Sequence, residues 1–290
     1  MPARPRDARH HLVFTYTDSL RQTPPMTAST SPVLYDLTNH VATITLNRPD
    51  AMNSLNVETK VALRDAVHQA ASDSDVRCVV LTGSGRSFSA GQDLKEHVAD
   101  LNAGTGPLSS TVEEHFNPMV TAIATMPKPV IAAVNGVAAG AGASLAFASD
   151  LRIVSDTAGF NLAFTAIGLS CDTGASWTLP RLVGHAKAIE LLMFPRTIKA
   201  EEAASLGLAN RVVAADDFAA QVADIAAQLA CGPTLAYASV KRALAYSATH
   251  HLPESLVHEA QKMALTGASQ DHRNAVDAFL DKRKPVFEGR

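Results

Sequence analysis

Two short segments carry residue types able to hold a developing negative charge. The first, Ser87-Phe88-Ser89-Ala90-Gly91-Gln92-Asp93-Leu94, follows an apolar run through a Gly-Ser-Gly turn. Its small residues let a backbone approach a ligand closely and expose amide N–H groups. The second, Asn135-Gly136-Val137-Ala138-Ala139-Gly140-Ala141-Gly142-Ala143-Ser144, opens a helix with glycines and alanines. A helix start without bulky side chains offers unpaired N–H groups and a partial positive charge to an oxyanion. Taken singly, each segment reads equally well as a plain glycine-rich turn.

The surrounding pattern supplies elements to position both. Val41 to Leu46 alternates Ala42, Ile44 and Leu46 with Val41, Thr43 and Thr45, the period of a strand. Asn56 is placed to cap a helix in which Leu63, Ala66, Val67 and Ala70 share one face. The run from Arg77 to Thr82 predicts a strand buried on both faces. From Lys128 the order recurs: an apolar strand to Val134, a turn at Asn135-Gly136, a small-residue helix to Ser149 and a strand over 151–154. Strands alternating with helices indicate an α/β fold. Beyond Asp216 only helical patterns remain, with Gly232-Pro233 and Leu252-Pro253 marking helix starts. The expected division is an N-terminal extension over 1–30, a core over 31–215 and a helical subdomain over 216–290.

Composition narrows the function classes. The chain has 290 residues, 47% of them hydrophobic and 18% charged, with a formal net charge of −3. That balance is globular, and it offers no basic field for a nucleic acid. No apolar run reaches the ~18 residues of a membrane span. Cys78, Cys171 and Cys231 are odd in number and widely spaced, which suits a reducing cytoplasm and shows neither a disulfide framework nor a zinc motif. No metal site is expected, and His10 and His11 read as solvated. Residues 1–30, with Arg4, Arg6, Arg9 and Arg21 among prolines, serines and threonines, are expected to be disordered. They read either as a transit peptide, against which Asp7 and Asp18 count, or as sequence preceding a true start at Met26.

Together and in order, the segments resemble the crotonase (enoyl-CoA hydratase/isomerase) family from about Val33 to the C-terminus. The matching residues are Arg48-Pro49-Asp50-Ala51-Met52-Asn53-Ser54-Leu55, Phe88 to Leu94, Lys128-Pro129-Val130-Ile131-Ala132-Ala133-Val134-Asn135-Gly136 with its helix, and Asp271-His272-Arg273 through Ala278-Phe279-Leu280-Asp281-Lys282-Arg283. The resemblance implies a spiral of repeated ββα units with a C-terminal helical subdomain, assembled as a homotrimer or dimer of trimers. It also implies an acyl-CoA substrate, no cofactor besides the coenzyme A of that substrate, and a thioester oxygen held by two backbone N–H groups. By position these donors are Gln92 and Ala141. Ser54, Ala90, Asp93 and Leu94 would line the coenzyme A path, and Phe279 and Lys282 would reach its nucleotide or phosphates, in this subunit or a neighbour.

The chain departs from the family's hydratases, whose two catalytic glutamates are replaced here by Ser144 and Phe164. Neither residue is a carboxylate base, so the usual addition of water lacks its proton carriers. A carboxylate does occur in Gly168-Leu169-Ser170-Cys171-Asp172-Thr173-Gly174-Ala175-Ser176-Trp177-Thr178-Leu179-Pro180-Arg181. This segment resembles isomerases of the phenylacetate-pathway type, in which an aspartate shuttles a proton, and 4-chlorobenzoyl-CoA dehalogenases, in which it is a nucleophile. The dehalogenases carry tryptophan where this chain has Phe164. Asp172 is accordingly the expected catalytic residue, with Phe164 and Trp177 as acyl-pocket walls; its bland alternative is an N-cap for the next helix.

The favoured expectation is isomerisation of enoyl-CoA double bonds through an oxyanion-stabilised (di)enolate. Hydration by an unusual arrangement, nucleophilic dehalogenation or hydrolysis, and acyl-CoA binding without turnover remain alternatives. A serine hydrolase is excluded by context: Ser87-Phe88-Ser89-Ala90-Gly91 approaches the Gly-x-Ser-x-Gly elbow, but a Gly-Ser-Gly-Arg loop separates it from the strand.

Overall fold

The computed structural model describes residues 31–104 and 108–290; the expectations for residues 1–30 lie outside them. The chain opens with strands β1 (Val33–Thr38) and β2 (Val41–Leu46), then helix α1 (Val57–Ser72). Asn56 caps α1 by accepting from the Thr59 amide at 3.0 Å, and Leu63, Ala66, Val67 and Ala70 are all buried.

Three ββα turns follow. The first comprises β3 (Cys78–Gly83), β4 (Ser87–Ser89) and the helical stretch α2 (Leu94–Ala103), α3 (Leu108–Thr111) and α4 (Asn117–Thr125), a π-turn over Val112–Phe116 joining the last two. The second comprises β5 (Val130–Val134), β6 (Val137–Ala139) and α5 (Ala141–Ala148). The third comprises β7 (Leu151–Ser155), β8 (Gly159–Asn161), α6 (Ala175–Val183) and α7 (His185–Met193). After β9 (Ile198–Lys199), α8 (Ala200–Ser205) and β10 (Arg211–Val213), four helices complete the chain: α9 (Phe218–Ala230), α10 (Thr234–Ser247), α11 (Leu252–Gly267) and α12 (Gln270–Leu280).

The spiral appears in the sheet orders. One sheet runs β1-β2-β3-β5-β7-β10 and the other β4-β6-β8-β9, so each turn gives its first strand to the larger sheet and its second to the smaller. Strands β3, β5 and β7 pair in parallel, as do β4, β6 and β8. β5 is buried at every position, as its uninterrupted apolar run requires. The sharp bend from β5 to β6 needs Gly136, since a Cβ there would lie 2.1 Å from the Arg86 carbonyl oxygen.

Two asparagines, Asn53 buried and Asn135 partly buried, hold the bend between β3 and β4. Asn53 donates to the Ser84 and Ser87 carbonyls at 2.9 and 2.8 Å, and Asn135 donates to Gly85 O at 3.0 Å. Pairing these carbonyls with side-chain amides fixes the path of the bend that leads into β4. Among the described residues, no helix is long and apolar enough to cross a membrane.

Candidate active site

The segment after β4 is held edge-on against the chain preceding α1. The Leu55 amide donates to Gly91 O at 2.8 Å, and the Asp93 amide donates to Leu55 O at 3.2 Å. These bonds form an isolated parallel bridge between Leu55 and Gln92. In a parallel bridge the central residue's own N–H points away from its partner, so the Gln92 amide faces the opposite side. Ala141 is the first residue of α5, and its amide is one of those a helix cannot satisfy internally.

Gly91 lets the segment carrying Gln92 approach the start of α5 closely. Its φ is +82°, and a Cβ on it would lie 2.7 Å from Ala139 O and 3.2 Å from the Ala141 nitrogen. Only a residue without a side chain permits that approach.

Gln92 and Ala141 line one cavity of about 130 Å³ together with Asp172, Phe116, Phe164 and Leu169. Asp172 is the only carboxylate on its wall among the described residues, and burial pushes its carboxyl above the ordinary range, opposed by a hydrogen bond from Thr173. The carboxylate does not cap α6: the N-cap is Gly174, and the Asp172 main-chain carbonyl receives the Ala175 amide. Two preorganised amides and one partly desolvated carboxylate around an apolar space can stabilise an enolate oxygen and carry a proton.

Ala90, Leu94 and Phe164 also line this cavity, while Ser54 and Asp93 do not. Asp93 accepts from Arg48 at 2.9 Å and from Ser54 at 3.0 Å, and it caps α2 through the Lys95 and Glu96 amides. Burial alone would raise its pKa, but the bonds from Arg48, Ser54 and the Glu96 amide outweigh that and hold the carboxyl low. The pair therefore braces the loop carrying Gln92.

Trp177 is a correction. Ala175, Thr178 and Leu179 form the buried face of α6, which turns residue 177 outward, where it is 46% exposed. It stacks on Arg181 at 4.1 Å and borders a different cavity with Arg152 and Lys241. Phe279 is 82% exposed, and neither it nor Lys282 touches the cavity wall. Ser144, at a hydratase glutamate position, is fully buried and donates to Gly140 O at 3.1 Å. Sequence reasoning missed His97, which lines the cavity from α2, and Lys60, which stands behind it. Lys60 could have been found, because it lies three residues before Leu63 on the buried face of α1.

The spiral of ββα turns is a fold the comparisons with known proteins recognise. Residues 36–290 match the enoyl-CoA hydratase/isomerase family. A Rhodobacter capsulatus protein that bears the name "Probable enoyl-CoA hydratase" is 44% identical over 259 residues, covering 89% of this chain and 98% of its own. The Escherichia coli 1,2-epoxyphenylacetyl-CoA isomerase is 40% identical over 258 residues, with the same coverage of 89% and 98%. A crystal structure from Mycobacterium abscessus, described under the enoyl-CoA hydratase/isomerase name, superposes with a TM-score of 0.86 at 41% identity, covering 89% of this chain and all of that one. The chain belongs to the enoyl-CoA hydratase/isomerase, or crotonase, family.

Proposed function

We propose that this protein isomerises enoyl-CoA thioesters, moving the double bond between the β,γ and α,β positions. The carrying observation is that Asp172 is the sole carboxylate on a cavity wall shared with Gln92 and Ala141, among the described residues. Asp172 removes a proton from one carbon of the acyl chain, and the electron pair delocalises onto the thioester oxygen as a (di)enolate. The Gln92 and Ala141 amides hold that oxygen, each worth about 3 kcal/mol. Asp172 then returns the proton to the other carbon, so no net proton, electron or cofactor is consumed. Its raised pKa favours accepting and retaining the proton between the two transfers.

The size of the space bears on the acyl group. A dry cavity of about 150 Å³ is known to hold a benzene ring, so a cavity of about 130 Å³ suits a short or cyclic acyl group. Ala90 and Leu94 would border the thioester end, with Ser54 and Asp93 supporting the loop beneath it. Phe279, Met263 at 72% exposure and Leu244 at 67% stand on the C-terminal helices. We assign these exposed apolar side chains to the subunit contacts of a homotrimer or dimer of trimers, in which Phe279 and Lys282 approach the nucleotide of a neighbour's coenzyme A. A cytoplasmic enzyme accords with its three unpaired cysteines.

Hydration is the second reading, favoured by one observation: His97 on the same wall offers a second proton carrier, which addition of water requires. Enoyl-CoA esters incubated in deuterated water with wild type and Asp172→Asn distinguish the readings. Isomerisation predicts double-bond migration and α- or γ-carbon exchange that vanish in the variant. A 3-hydroxyacyl product shows hydration, and binding without exchange by any ester sinks the proposal.

A further inference from the structure

Lys60 is 1% exposed on the buried face of α1. Its ammonium donates to Thr111 Oγ1 at 2.7 Å, contacts Gln92 Oε1 at 3.4 Å and Glu96 at 3.5 Å, and lies 5.9 Å from the Phe116 ring centroid. Three of these four neighbours, Thr111, Gln92 and Phe116, line the cavity that Asp172 shares. The charge therefore stands one side chain behind the wall at which the thioester oxygen would be held.

Taking an ammonium out of water is unfavourable by several kcal/mol, whereas an apolar side chain at this point of α1 would pack without that penalty. Burial accordingly lowers the Lys60 pKa, while Glu96, Asp100 and Asp93 oppose the shift. Glu96 is itself shared, since its carboxylate also accepts the Val57 amide at 2.9 Å. The nearest partner of the ammonium is a neutral hydroxyl, and its carboxylate partner Glu96 stands farther off at 3.5 Å. A charge held in a fixed, buried position acts more strongly on an anion forming nearby than the same charge in water.

We propose that Lys60 is a positioning residue of the oxyanion hole, tethering the Gln92 side chain so that its backbone amide stays aimed at the thioester oxygen and setting a positive charge behind the forming enolate. The inference rests on reading Gln92 as an oxyanion donor. It goes beyond the backbone pair by assigning part of the hole's strength to a side chain on another element. The Gln92 backbone lies between two tethers, the Leu55 bridge on one side and the Lys60 contact through its side chain on the other. The Leu55 bridge fixes the peptide that carries the amide through Gly91 O, and the Lys60 contact restrains the side chain that extends from it.

The test uses a cinnamoyl-CoA thioester with a para-amino donor, whose absorption moves to longer wavelength when its carbonyl is polarised. This readout needs no turnover. Wild type at saturating probe should show the red shift, Lys60→Arg should retain it, and Lys60→Met should lose most of it. With enoyl-CoA substrate, Lys60→Met should lower kcat about tenfold with KM changed less than about twofold, a smaller loss than the ~10²–10³ of a removed oxyanion donor. Should Lys60→Met fail to fold, Gln92→Leu decides, because it cuts the tether but leaves the amide, and it should lose part of the shift. A full red shift in Lys60→Met or in Gln92→Leu overturns the proposal, as does a bound wild-type probe with no shift. Asp172→Asn should keep the shift while losing proton exchange, so failure of the Asp172 reading leaves a separate signature.

Discussion

The Thr173 hydroxyl donates to Asp172 Oδ1 at 2.8 Å, and it does so from a left-handed backbone with φ of 52°. A β-branched residue is rarely held there, and such strain concentrates at sites where geometry matters more than stability. The bond stabilises the ionised carboxylate against the burial that raises its pKa.

Thr173→Ala should therefore raise the Asp172 pKa further. If the ionised carboxylate is the base, the acid limb of the pH–rate profile moves to higher pH while the plateau rate is largely kept. An unmoved acid limb would detach Asp172 from the titration that controls the rate.

Asp172→Asn should abolish proton exchange, a loss of about 10²–10⁴ in rate, yet raise the melting temperature at neutral pH. The sign follows from linkage: a carboxyl whose folded pKa is raised keeps its proton after the unfolded chain has released it. Stability is then lost as pH rises from the ordinary carboxylate value through the folded one. Scanning calorimetry at pH 7 and below pH about 3.5 should show the gain at the higher pH only.

Gly91→Ala should remove activity by about 10²–10³. The added methyl would occupy the space against Ala139 O and the Ala141 nitrogen, at a φ that alanine rarely adopts. Turnover and probe polarisation should fall together; retention of both would place the oxyanion donors elsewhere.

Asp93→Ala should destabilise the fold by about 2–3 kcal/mol, since it removes the α2 cap and leaves Arg48 without its carboxylate. Its depressed pKa means the contribution is present above the ordinary carboxylate pKa and lost as pH falls through the folded value. The gap in urea midpoint between wild type and variant should accordingly narrow below pH about 4.

Asp271 accepts the Glu288 and Gly289 amides at 2.6 and 2.9 Å, which straps the C-terminal residues to α12. Asp271→Ala should speed hydrogen exchange at these amides and expose the last residues to carboxypeptidase, with little change in acyl-CoA turnover.

What the sequence determined by itself was whatever depends on near neighbours in the chain. The apolar runs of β3 and β5 require burial on both faces, and Asn56 caps α1 because it immediately precedes the helix. Strands β4, β6 and β8 are three residues each, too short for a period to show, so the second sheet escaped the pattern. Tertiary structure alone decided which side chains meet across elements. It turned Trp177 outward by the pitch of α6, spent Asp93 and Ser54 on bracing a loop, and brought His97 and Asp172 onto one wall with Lys60 behind it. Such meetings depend on how the turns of the spiral stack, a long-range packing outcome that no local spacing encodes.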